Sequence, residues 1–92
     1  MLFSNHAKEE MLSENYGLIH EHEVKECIQS GEIVEKYADD RPYESFLVYG
    51  RTINDRPIHV VCAVVEEENK LVIITTYEPN PEKWINYKRR RR

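Results

Sequence analysis

Residues 56–77 read RPIHVVCAVVEEENKLVIITTY. Two runs dominated by β-branched residues, Pro57–Val65 and Lys70–Tyr77, flank an acidic stretch in which Glu67, Glu68 and Asn69 turn the chain. Both runs are apolar on both faces, through Val60, Val61, Cys62, Ala63, Val64 and Val65, then Leu71, Val72, Ile73 and Ile74. Strands of that kind belong at the centre of a sheet or under cover on both sides. The short acidic connection makes them an antiparallel pair.

Towards the N-terminus the same period of two continues. A strand over residues 43–52 joins the first run through a tight turn at Asn54 and Asp55. Before it, Glu32–Tyr37 alternates Ile33 and Tyr37 against Val34 and Lys36, and Asp39, Asp40, Arg41 and Pro42 supply the turn between the two. Upstream of Gly31 the period changes to that of a helix. Val24, Cys27 and Ile28 recur at i, i+3 and i+4 over 21–30, with Glu21 and Glu23 at the positive end and Gly31 as the stop. A first helix over 5–16 is opened by the Ser4 hydroxyl and closed by Gly17, with Ala7, Met11 and Leu12 as a narrow apolar stripe. The expected architecture is α+β: two N-terminal helices packed on a four-stranded, mostly antiparallel β-sheet. The helices cover one sheet face, and the other needs a cover from a partner chain or a ligand.

Pro79, Asn80 and Pro81 end the last strand, and residues 82–87 suit a short helical turn that lays Trp84 on the sheet. Five like charges over 88–92 predict a mobile basic tail after a single domain over 1–87. The 92-residue chain is 40% hydrophobic and 33% charged, which suits one ordinary globular core and leaves no room for a second. Its net charge is −4, but without the five basic residues of 88–92 the body holds eight basic against seventeen acidic residues, a formal charge of −9. A phosphate backbone would be repelled by such a body except at a local basic cleft or at the tail. There is no apolar run long enough to span a bilayer and no signal-peptide layout, so a cytoplasmic protein without membrane contact is expected.

Few residues invite chemistry. Gly-rich phosphate loops, HExxH, paired CxxC and GxSxG are missing, and no cofactor or metal is expected. Cys27 and Cys62 read as buried thiols, and His20 and His22, two apart on a helix, point to different sides. His59 stands out because it interrupts an apolar strand. Burial and neighbours would tune it near neutrality, whether as a satisfied core histidine or as a working imidazole. Tyr77 ends the following strand beside it, and Arg41, Arg51 and Arg56 gather in the surrounding turns and strand ends. Such a set suits holding a phosphate and moving protons without a metal.

The order His6-Ala7, Gly31-Glu32-Ile33, Arg41-Pro42, Gly50, Arg56-Pro57-Ile58-His59-Val60-Val61, then Ile73-Ile74-Thr75-Thr76-Tyr77-Glu78-Pro79 with Trp84, resembles the domain-of-unknown-function family 4258 over nearly the whole chain. That family is similar in fold to the RelE-like toxins of bacterial toxin–antitoxin pairs, often encoded beside an antitoxin with a YgiT-type zinc finger. The resemblance implies a metal-independent endoribonuclease with RNA as substrate and a cognate antitoxin as partner. It implies His59 and Tyr77 as catalytic proton-transfer groups and Arg51, Arg56 and Arg41 as phosphate-binding groups. The chain departs from the family's usual HAxxRMxxR first-helix pattern, carrying Glu10 at the first arginine position and no arginine at the second. That departure, with the acidic body, keeps open a non-catalytic interaction module on the same fold that pairs with itself or with a partner.

Overall fold

The computed structural model describes residues 1–13 and 16–91. A short strand β1 (Leu2–Phe3) leads into helices α1 (Asn5–Ser13) and α2 (Glu21–Ser30). Strands β2 (Glu32–Tyr37), β3 (Ser45–Arg51), β4 (Pro57–Val65) and β5 (Lys70–Tyr77) follow, and a hairpin of β6 (Trp84–Ile85) and β7 (Arg89–Arg90) ends the chain. The main sheet runs β1-β5-β4-β3-β2, antiparallel except where β1 lies parallel to β5. The sheet therefore has five strands where four were expected. The fifth, β1, is two residues long, too short for any periodic signal to show in the sequence.

Both helix starts follow from their side chains. The Ser4 hydroxyl accepts from the Ala7 N–H at 3.0 Å and donates to the Ile74 carbonyl at 2.8 Å, so one residue caps α1 and ties it to β5. At α2 the Glu23 carboxylate reaches back to the His20 N–H at 2.9 Å. His20 thus sits before the helix with an extended backbone, which lets its ring stack on His22 at 5.4 Å rather than point away from it as the helical spacing predicts. The first helix is described over Asn5–Ser13, Glu14 and Asn15 lie outside the described residues, and Tyr16, expected to be its last residue, is in a turn. Gly17, at φ 107°, takes the positive-φ conformation expected of a residue that stops a helix.

One sheet face is sealed by the helices. Ala7, Met11, Val24 and Cys27 meet Val48, Ile58, Val60, Cys62 and Ile73 in one core cluster. Ile58, Val60 and Ile73 are fully buried there, each stabilising the fold by about 1.5–3 kcal/mol relative to exposure. Helix α2 approaches β3 so closely that a Cβ at Gly50 would lie 2.2 Å from the Cys27 carbonyl oxygen. Only glycine fits at that position.

The β4–β5 pairing holds an irregularity that places the rest. Tyr77 pairs with His59 and Thr75 with Val61, but Cys62 pairs with Ile73, so Ile74 is an extra residue in β5. Its carbonyl is the one that Ser4 catches. Below this bulge Ile73 and Leu71 join the helix-side core, and above it Tyr77 turns to the opposite face.

That opposite face is not left to a partner as the sequence suggested. The C-terminal segment folds back over it. Residues 82–87, expected to be helical, instead enter β6 and a turn in which Asn86 and Tyr87 both have positive φ, and the Lys88 N–H closes the turn on the Ile85 carbonyl at 3.0 Å. Trp84 does lie on the sheet, 5% exposed. The basic run, read above as a mobile tail, supplies β7, because its cations find partners on the sheet: Lys88 with Glu32 at 2.7 Å and Arg90 with Glu35 at 3.0 Å.

Candidate functional site

Strand register brings His59 into a ring of aromatic side chains. Antiparallel pairing sets Tyr49 of β3 on one side of it and Tyr77 of β5 on the other, and β6 drops Trp84 onto its imidazole with ring centroids 4.5 Å apart. His59 is fully buried. Its Nε2 lies 2.6 Å from the Tyr87 carbonyl oxygen, which can only accept, so Nε2 carries the proton. In the neutral ring Nδ1 then accepts from the Tyr77 hydroxyl at 3.2 Å. Burial pushes the His59 pKa below its ordinary value, with the Tyr87 carbonyl only partly offsetting it. Burial also pushes the Tyr77 phenol up to about 12, so it stays protonated at neutral pH.

Beside this pair stands a carboxylate that sequence reasoning passed over. Glu35 accepts from the Tyr37 hydroxyl at 2.5 Å and from Arg90 Nε and Nη2 at 3.0 and 3.2 Å. Partial burial alone would raise its pKa, but the hydrogen bonds from Tyr37 and Arg90 outweigh that and hold it below the usual carboxylate value. The Arg90 guanidinium also lies over the Trp84 ring, 4.7 Å from its centroid. A groove opens next to Tyr77, lined by Lys83, Trp84 and Arg90 together with Glu10, Tyr16, Glu78 and Asn80.

The three arginines named from the sequence do not converge. Arg51 stays nearest, donating to the Asp55 carbonyl at 2.9 Å with its guanidinium 5.5 Å from the Tyr87 ring. Arg56 is a clamp. It is half-buried between Glu23 at 3.1 Å and Glu78 at 2.7 Å and also donates to the carbonyls of Leu18 at 2.7 Å and Gly17 at 2.9 Å. Those bonds hold the α1–α2 connection against the end of β5 and leave Arg56 little capacity for a phosphate. Arg41 stays in its own turn, bonded to the carbonyls of Ala38 and Asp40, at the Ser45 end of β3 and away from Tyr49.

Of the expected set, then, His59 and Tyr77 touch, Arg51 borders the aromatic ring, and Arg56 and Arg41 lie elsewhere. Tyr49 was missed because a two-residue Asn54-Asp55 turn would set Gly50 opposite His59, whereas the loop takes in Ile53 as well and shifts the register by one, which brings Tyr49 there. Lys83, Trp84, Tyr87 and Arg90 arrive through a hairpin whose turn relies on positive φ at Asn86 and Tyr87, and no glycine marks it. Among the described residues, no helix is long and apolar enough to cross a membrane.

Searches of curated proteins and of solved structures returned no match. The family described as "Domain of unknown function (DUF4258)" matches residues 3–78, a span that runs from β1 to the residue after Tyr77 and includes both members of the buried His59–Tyr77 pair. The chain belongs to that family.

Proposed function

We propose that this chain is the toxin component of a RelE-like toxin–antitoxin pair and cleaves RNA without a metal, with Tyr77 rather than His59 facing the substrate. The observation that carries this reading is the Tyr77 phenol, held by a buried imidazole at 3.2 Å and bordering a groove that also holds Lys83 and Arg90. In such a cleavage the ribose 2′-hydroxyl attacks the adjacent phosphate. Lys83 and Arg90 offset the charge that develops, and Tyr77, a phenol that stays protonated at neutral pH, protonates the leaving oxygen. Two carboxylates share the groove, and Glu78 is engaged by Arg56. The base that takes the 2′-hydroxyl proton is therefore assigned to Glu10, whose contact with the exposed His6 imidazole is a loose one at 4.0 Å. His59 has no exposed surface and acts as a positioning residue, orienting the phenol through Nδ1. A small antitoxin is the partner that this reading requires.

Controlled expression in bacteria tests it. The wild-type chain should arrest growth and leave RNA fragments with 5′-hydroxyl ends, and Tyr77→Phe should abolish both while costing only about 1 kcal/mol of stability. Unimpaired growth and intact RNA with the wild-type chain would remove the nuclease reading.

A second reading, a non-catalytic interaction module, draws on the way Trp84 and Tyr87 close over His59 and Arg56 is fully engaged by its own chain. It predicts self-association driven by the acidic body and the basic C-terminal run. Gel filtration at low and high salt separates the cases, since an elution volume of a monomer in both would dismiss an electrostatic dimer.

A further inference from the structure

A second groove lies on the other side of Arg90, between the outer edge of the sheet and the C-terminal hairpin. Its apolar lining is Val34 and Ile85, its cationic lining is Lys88, Arg89, Arg90 and Arg91, and its one carboxylate is Glu35, which Arg90 holds. Strand β2 is the last strand of the sheet among the described residues, so its outer backbone groups have no neighbouring strand. Such an edge is a template for another strand unless something covers it. Here the β2–β3 register shifts between Ile33 and Glu35, which leaves Val34 outside the paired ladder and in the lining of the groove. The groove therefore joins three features: an unpaired strand edge, two facing apolar side chains, Val34 of β2 and Ile85 of the hairpin, and a row of cations beside them.

From this juxtaposition we infer that the β2 edge and the C-terminal hairpin together bind an extended segment of a partner protein in which acidic and apolar residues alternate. Main-chain hydrogen bonds to β2 supply the register. One set of the partner's side chains meets Val34 and Ile85, and its carboxylates meet Arg89 and Arg91. Charge complementarity selects the occupant, because the chain's body is acidic and this groove is its concentrated basic surface. A nucleic acid strand would use the cations but not the apolar lining or the strand edge. Lys88 and Arg90 are already paired with Glu32 and Glu35, which leaves Arg89 and Arg91 as the groove's cations without a carboxylate partner among the described residues. The inference does not rest on the RNA reading, since Tyr77 and Lys83 take no part in it.

The test uses the whole chain and a fluorescent peptide that alternates glutamate with valine or isoleucine, with a lysine-for-glutamate peptide and a uridine oligoribonucleotide as comparisons. The glutamate peptide should bind, weaken with salt, and slow amide hydrogen exchange across Glu32–Tyr37. A joint Arg89→Ala and Arg91→Ala variant should bind about five- to tenfold more weakly, and the corresponding Arg→Lys pair should regain most of the affinity. Both variants should keep the wild-type circular dichroism, because these side chains are exposed. No binding of the glutamate peptide overturns the inference. So does binding without protection of β2, or protection by the lysine peptide or the oligoribonucleotide to the same degree. A β2 edge already protected in the free protein, together with a dimer on sedimentation, also overturns it and makes a second copy of the chain the occupant.

Discussion

The two faces of the sheet are closed by the same chain in different ways. Under the helices the contact is dry, built from Val48, Ile58, Val60 and Ile73 against Val24, Cys27 and Ala7. Under the C-terminal hairpin it is aromatic and polar, built on one buried imidazole, its two hydrogen bonds and cations stacked on Trp84 and Tyr87. Removing water from apolar surface stabilises the first strongly and without direction. The second is held by directed bonds that salt and pH can reach. The helix side thus carries the fold, and the hairpin side carries what is adjustable.

The comparison is tested most severely on the dry side. Gly50→Ala places a Cβ against the Cys27 carbonyl, so it should destabilise the protein by about 3 kcal/mol or more, seen as a fall in the denaturant midpoint. Near-wild-type stability would mean that α2 does not sit as tightly on β3 as the structure has it. On the hairpin side the effects are smaller and conditional. His59 has a lower pKa folded than unfolded, so the unfolded chain binds the proton more readily. Stability should hold above the ordinary value of 6.5 and decline as the pH drops from there towards the depressed folded value. His59→Gln should cost about 1–2 kcal/mol above neutrality and lose that part of the slope, as measured by urea titrations across pH. A slope unchanged by the substitution would show that the imidazole is not shut in. The smallest effect belongs to Glu35→Gln. Arg90 is 62% exposed, so losing this pair should cost well under about 1 kcal/mol. It should nonetheless loosen the hairpin, which the single tryptophan, Trp84, reports as a red shift in fluorescence that high salt reproduces in the wild-type chain.

Much of this architecture is legible in the sequence because it rests on local patterns. The change of period at Gly31, the stop at Asn69, the cap at Ser4 and the apolar runs of β4 and β5 all have side chains that name their conformation. What escaped reading depends on long-range pairing. Strand β1 is fixed by β5 rather than by its own two residues. Lys88 and Arg90 look like a solvated terminus until Glu32, Glu35 and Trp84 are placed beside them. Within the site, the placing of Tyr77 beside His59 on the neighbouring strand was anticipated, but the extra residue at Ile74 that brings the two opposite each other was not. The engagement of Arg56 by Glu23 and Glu78 was not, since those carboxylates are 33 and 22 residues away along the chain.

The extra residue at Ile74 has a consequence for how this strand can vary. Because of it, odd-numbered positions on one half of β5 point towards the imidazole, and odd-numbered positions on the other half point towards the helices. Deleting one residue here would not simply shorten the strand. It would exchange inside for outside along one of the two halves, turning either the phenol or Ile73 the wrong way. Length at this point is therefore under tighter constraint than side-chain identity, and variants of this segment should tolerate many substitutions but no change in spacing.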